Sequence, residues 1–408
     1  MNRVVITGMG IVSPLGNSIV DFWKNIVLGK NGISNITSFD TKNYDVHIAG
    51  QCKINLKDYL DSKTLNKVDR FTALAIIAAD QAVEDSKINL KKINLDKSGV
   101  IIGSGIGGIN TFEVQHKKLL KNPKRVSPFF IPGMIADIAS GQVAIKYGFK
   151  GINFSILSAC ASSSHCIGEA FRNIKHGYAD LIITGGSEST ITPSALTGFS
   201  NMKALTKNSD INSASRPFDE MRDGFVMGEG SGILILESLE HALNRNAKIY
   251  AEVIGYGASA DAYHLTSPHP DGYGAYQAMK LAIKESNIDC EKFSYINAHG
   301  TSTKQNDYIE TKAIKKIFKN HLKKLLISSI KSMIGHLLGA SGAVELISTI
   351  LSIKNSTIPP TINYSYKDPD CDLNYVPNDY QSKSVDYALS NSFGFGGHNS
   401  VISVGKYK

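Results

Sequence analysis

Short apolar runs that end in glycine recur along this chain, as VVITGMG at 4–10, GVIIGSG at 99–105, LIITGGSE at 181–188 and IYAEVIGYGAS from 249. They are rich in β-branched residues and too short for buried helices, so they read as strands covered on both faces. Helical patterns such as 70–85 and SSHCIGEAFRNIKHGY separate them, as in a layered α/β sheet with parallel pairing. SGILILES at 231–238 adds another strand. Near 249 the pattern starts afresh: helix 274–286, strand SYINAHG, helix 307–319, strand LLISSIKS, a long helix over 339–354, and a closing pair around YALSNSFGFGG and SVISVGK. Two halves of similar element order, 1–250 and 251–408, are therefore expected from a duplication of the fold.

The 408 residues, 42% hydrophobic and 20% charged, suffice for one large core or two medium ones and exclude a disordered chain. A net charge of +8 favours an acidic partner, although heavy lysine, asparagine and isoleucine usage equally fits coding bias. No basic run interleaved with aromatics points to nucleic acid. Five cysteines without a CxxC pair give neither a zinc knuckle nor a disulfide framework and suit a reducing compartment. The N-terminal MNRVVITGMGIVSPLG is broken by Gly8, Gly10 and Pro14, so it reads as a buried strand rather than a signal peptide. LLGASGAVELISTILSI carries Glu345 and falls short of a membrane span.

Gly103, Gly105 and Gly108 satisfy the G-x-G-x-x-G pattern of a dinucleotide-binding turn. The acidic residue expected about 20 positions later is missing, and KNPKRVSPFF stands there instead. A nucleotide-dependent oxidoreductase is thereby disfavoured.

Cys160 sits in SACASSSHCIGEA, where the apolar run INFSIL meets small residues and then a helical pattern. A thiol at a helix N-terminus is expected to favour the thiolate. Taken alone it reads more readily as a small buried hydrophobe, and the two histidine motifs downstream reverse that preference. Three further segments follow strands, where α/β sheets build their sites: NAHGTSTKQND at 297–307, SSIKSMIGHLLGASGA at 328–343 and NSFGFGGHNS at 391–400. His299 and His336 stand beside glycines, so a ligand can approach backbone closely there.

SACASSSH, NAHGTST, KSMIGH and NSFGFGG, together with SRPFDEMRDGFVMGEG, DAYHLTSPHPDG, IPPTINY and SPFF, resemble the signature segments of beta-ketoacyl-acyl carrier protein synthases over essentially the whole chain. The resemblance implies an α/β thiolase-like fold of five layers, αβαβα, and a homodimer paired through the strand before the nucleophile, for which INFSIL is apolar enough. It implies a decarboxylating Claisen condensation of acyl and malonyl thioesters in fatty acid elongation. Cys160 would carry the acyl group, and His299 and His336 would stabilise the enolate from their Nε2 sides. Backbone N–H groups of Cys160 and Phe395 would hold the tetrahedral oxyanion.

By the same resemblance Lys331 is the lysine near the active site and Glu310 the acid paired with it. Thr301 and Thr303 would contact the carrier's phosphopantetheine arm, Phe395 would gate the acyl channel, and Ile106 would line the far end of the acyl pocket. Asn297, Glu345, Ser390 and Asn391 match a region that can hold a buried sodium or potassium ion; no other cofactor is implied. Lys63, Lys67, Lys124, Arg125, Lys203 and Lys207 align with the patch that docks the acidic acyl carrier protein. Ile106 points to the type II elongating synthases, HCIG at 165–168 to type I, and His398 departs from the threonine often found there. A thiolase would need a second reactive cysteine near the C-terminus, and none follows Cys371; a non-catalytic carrier-binding subunit would lack Cys160. The expected compartment is the bacterial cytoplasm, or a plastid-like stroma after transit-peptide removal.

Overall fold

A computed structural model describes all 408 residues, Met1–Lys408. Ten strands form one continuous sheet made of two five-stranded halves. In chain order the first half comprises Val4–Val12, Ser98–Gly103, Asn153–Phe154, Leu181–Glu188 and Gly230–Ser238. The second comprises Ala251–Ala260, Phe293–Asn297, Leu326–Ser328, Tyr387–Gly394 and His398–Gly405. Within each half the spatial order is third, second, fourth, fifth, first. The second strand pairs in parallel with the third and fourth, while the fifth runs antiparallel to both the fourth and the first. The two first strands meet antiparallel over Val4–Ile6 and Ala251–Val253. Identical order and direction in both halves are the mark of a duplicated unit.

The sheet is mixed, not all-parallel as the strand and helix alternation predicts. Parallel neighbours need a helical crossover, whereas Tyr387–Gly394 turns straight back through residues 395–397 into His398–Gly405. INFSIL forms only the two-residue strand Asn153–Phe154 at the sheet's outer edge, and both residues are exposed.

Five layers result. Arg70–Ser86 lies on the outer face of the first half-sheet and Tyr273–Ser286 on the outer face of the second, while Ser162–Lys175 and Ser341–Asn355 fill the space between the sheets. Alanines at 75, 78, 79 and 82 let Arg70–Ser86 sit close to Val4–Val12. Ser341–Asn355 is buried from Ser341 to Ile353, which explains why LLGASGAVELISTILSI is apolar all round without being a membrane segment. No helix of the chain is long and apolar enough to cross a membrane. The N-terminal ends of the two central helices meet: the turn Ala159–Ala161 packs on the turn Leu338–Ala340. That contact places Cys160 and His336 in one neighbourhood although they stand 176 positions apart in the sequence.

Candidate active site

Cys160 occupies the short turn Ala159–Ala161 that leads into Ser162–Lys175. Ala159 before it has φ +51°, a left-handed conformation costly for a residue with a Cβ and a recurrent feature of site turns. The adjoining strand end comes so near that a Cβ on Gly394 would lie 3.0 Å from the Cys160 nitrogen. Only glycine there allows the 394–395 backbone to face the thiol.

Cys160, His299, His336, Thr301, Thr303 and Phe395 together line one cavity of about 340 Å³. Cys160 belongs to a buried apolar cluster with Ile191, Leu196, Phe225, Met227 and Leu338. Burial pushes the Cys160 thiol up to about 12, against the pull of the Lys331 charge and the backbone N–H groups of Phe395 and Cys160. The thiolate expected from the helix N-terminus is therefore not the resting form. Loss of water around the sulfur outweighs the donors directed at it.

The His299 and His336 rings stand 5.3 Å apart, centre to centre, at 83°. Burial, and then the Lys331 charge, hold both imidazoles well below the usual histidine range, so both are neutral at physiological pH. Lys331 Nζ lies 3.4 Å from His299 Nδ1 and donates to the His299 carbonyl at 2.6 Å. An ammonium has three donors and no acceptor, so Nδ1 must offer its lone pair and the ring proton sits on Nε2. Ser341 Oγ lies 2.9 Å from His336 Nδ1, and where it donates its hydroxyl proton there the His336 ring proton is likewise on Nε2. With Ser341 as donor, the cavity holds two neutral Nε2–H groups.

Lys331 is fully buried and pairs with Glu345, not with Glu310. Glu310 instead accepts the backbone N–H of His299 at 2.9 Å and of Gly300 at 2.8 Å, plus the Asn391 amide at 2.9 Å. It lies behind the loop that carries His299 and is not among the groups lining the cavity, so its hydrogen bonds shape that loop. Burial pushes Glu345 up to about 7 even with Lys331 beside it. Buried oxygens of Asn297 (Oδ1), Glu345 (Oε2), Ser390 (Oγ) and Asn391 (Oδ1) have no hydrogen-bond partner. The nitrogens of both amides are used, by the Glu345 carbonyl and by Glu310, so the free atoms are acceptors.

Thr301 and Thr303 hydroxyls bond to each other at 2.9 Å, and Asp307 fixes the loop by accepting the Thr301 N–H at 2.9 Å. Phe395 is half-buried, 6.4 Å from the Phe199 ring, and is followed by Gly396 and Gly397 at φ +81° and +74°. Ile106 does not line the cavity of the single chain; it is 38% exposed on the loop after Ser98–Gly103, because that loop faces outward beside the exposed sheet edge. Lys63, Lys67, Lys124, Arg125, Lys203 and Lys207 are all exposed, and Lys203 lines the cavity. His398 is exposed beside Gly396 and outside the cavity. Sequence reasoning missed Ser341, Phe225, Phe393, Leu338 and Glu188. Only Ser341 left a signal, a small polar residue at the start of a helix five positions past His336.

Residues 1–242 match the model of the beta-ketoacyl synthase N-terminal domain and 250–365 that of its C-terminal domain. The chain is 52% identical to 3-oxoacyl-[acyl-carrier-protein] synthase 2 of Staphylococcus aureus (strain COL), with all of this chain and 99% of the relative aligned. The protein of that name from a Synechocystis strain is 50% identical, over 100% of this chain and 98% of the relative. A solved type II PKS acyl-carrier protein in complex with its ketosynthase matches at TM-score 0.94 and 34% identity, and a beta-ketoacyl synthase from Burkholderia phymatum STM815 at 0.93 and 32%, each over the full length of both chains. With its duplicated five-layer fold and a cysteine facing two neutral histidines, the chain belongs to the beta-ketoacyl synthase family and is a condensing acyltransferase.

Proposed function

We propose that this enzyme elongates acyl chains held on acyl carrier protein by condensing them with malonyl carrier protein. The observation that carries the reading is the pair of neutral histidines in one cavity with Cys160. In the first half-reaction the Cys160 sulfur attacks the thioester carbonyl. The bond from carbon to the carrier's sulfur breaks, and the thiol proton leaves with the carrier thiol. Because the resting thiol is protonated, its ionisation belongs to the attack itself. The oxyanion forms against the Cys160 and Phe395 N–H groups, which already face the sulfur.

In the second half-reaction the bond from the malonyl carbon to its carboxylate breaks, CO₂ departs, and the electron pair moves onto the thioester oxygen. Two uncharged N–H donors stabilise that enolate without protonating its carbon. The carbanion then attacks the acyl-Cys160 carbonyl, forms the new C–C bond and expels the cysteine sulfur, which recovers a proton from solvent. The product is a 3-oxoacyl carrier two carbons longer.

Lys203 at the cavity mouth, with Lys63, Lys67, Lys124 and Arg125 on the surface, suits the docking of an acidic carrier, steering encounter more than holding it. Thr301 and Thr303 would receive its pantetheine arm. The exposed edge strand Asn153–Phe154 with Leu157, and exposed Ile106 and Ile135, supports a homodimer continued across that edge. The four unpartnered oxygens of Asn297, Glu345, Ser390 and Asn391 fit a sodium or potassium ion, hard cations that take oxygen ligands. Such an ion would hold Glu345 in place behind Lys331. All five cysteines are free, which suits a reducing compartment, the bacterial cytoplasm or a plastid-like stroma.

Incubating the protein with acyl and malonyl carrier proteins should give a 3-oxoacyl carrier lengthened by two carbons with one CO₂ released, read by mass spectrometry. Transfer without CO₂ would refute the condensation. A pH profile tests the histidines. Their lowered pKa values keep the neutral form from alkaline pH down past 6.5, so malonyl decarboxylation should stay flat as pH falls from about 8 to about 6. A fall in that range that persists in Glu345→Gln would mean that at least one ring titrates freely, whereas one that vanishes in that variant belongs to Glu345, which burial pushes up to about 7.

A further inference from the structure

The glycine-rich turn after Ser98–Gly103 has the form of an anion cradle, and its donors are already spent on the carboxyl of Glu188, which burial pushes up to about 7 against their pull. Glu188, at the end of Leu181–Glu188, is fully buried. Its Oε2 accepts the N–H of Gly105 at 2.6 Å and of Gly339 at 3.0 Å; Oε1 accepts the Ser104 hydroxyl at 2.9 Å and the Ile106 N–H at 3.3 Å. No lysine, arginine or histidine pairs with it. One carboxylate thus ties the 104–107 loop to the turn Leu338–Ala340. The two backbones come so close that a Cβ on Gly339 would lie 2.2 Å from the Gly105 nitrogen. Leu338, held at φ +45° by this arrangement, presents its side chain to the cavity and to the apolar cluster around Cys160.

We infer that Glu188 is a positioning residue that sets acyl-chain selectivity, by fixing the turn that carries Leu338 against the 104–107 loop, which itself packs on the turn Ala159–Ala161 that holds Cys160. The inference rests on the reading of Cys160 as the acyl carrier. Moving Leu338 changes the room beside the acylated sulfur, whereas His299 is held by Lys331 and the His336 backbone by Val226 and Gly228, away from that turn.

The test compares wild type with Glu188→Gln, which keeps the shape but turns an N–H₂ toward donors that now face a carboxylate. Acylation of Cys160 is followed by intact mass with carriers bearing a short and a long acyl chain. The expected result is a change of about tenfold in the long-to-short ratio of acylation rates, the scale of a one- or two-methylene misfit. Malonyl decarboxylation should stay within about threefold of wild type, a change small beside that tenfold shift. Ser104→Ala, which removes one donor, should shift the ratio the same way by less and decides the matter if Glu188→Gln does not fold. A purely structural role lowers both activities together and leaves the ratio unchanged, which overturns the inference. If wild type is not acylated at Cys160 at all, the functional reading fails and the inference fails with it.

Discussion

Replacing Cys160 by alanine should abolish condensation while leaving malonyl decarboxylation in place. The nucleophile and the enolate donors are separate groups in one cavity: the sulfur comes from the turn Ala159–Ala161, the N–H donors from His299 and His336. Loss of a covalent nucleophile costs on the order of 10⁴-fold or more. The histidines keep their Nδ1 contacts with Lys331 and Ser341, neither of which depends on Cys160 for its hydrogen bond. Alanine also fits the apolar cluster around the sulfur, so folding should survive. CO₂ release from malonyl carrier protein, with no 3-oxoacyl product, is the expected readout. Wild-type rates of both activities would remove Cys160 from the mechanism.

The elements were legible wherever local pattern decides them. Arg70–Ser86, Tyr273–Ser286, Lys304–Phe318 and Ser341–Asn355 lie within a few residues of the spans read from periodicity, and the restart near 249 marks Ala251–Ala260, first strand of the second half. Strand direction was not legible, because apolar runs of the same length serve parallel and antiparallel neighbours alike. The cysteine, both histidines and the phenylalanine stand in motifs whose glycines and small residues show on the sequence.

Their supports do not show. Whether Lys331 meets Glu345 or Glu310 depends on which buried acid faces it, and Ser341–Asn355 is buried on all sides, so no amphipathic stripe marks the face of Glu345. Glu188 closes a glycine turn that resembles a nucleotide site, yet it comes from a strand 83 positions past Gly105. The ionisation of Cys160 was misjudged for a related reason. The helix N-terminus is a local feature, while the burial that dominates is assembled from Ile191, Phe225 and Leu338, far apart in the chain.

Lys331→Ala is expected to cost both stability and decarboxylation, by two routes that can be separated. Lys331 and Glu345 form an ion pair in which each side chain is 1% exposed. Removing one partner of such a pair leaves an uncompensated buried group and costs roughly 3–5 kcal/mol. Because burial alone already pushes Glu345 up, the acid left behind should bind a proton, which recovers part of that cost. The second route runs through His299. Without the ammonium, nothing obliges Nδ1 to remain an acceptor, and the tautomer with its proton on Nδ1 turns a lone pair toward the enolate. Loss of one such donor costs about 10²–10³ in rate. The double variant Lys331→Ala with Glu345→Ala removes the stranded acid, so it should regain much of the melting temperature. It should regain none of the malonyl decarboxylation, because the tautomer is still unset. Recovery of both together would mean that Lys331 serves only to hold the core in place; recovery of stability alone assigns it the orientation of His299.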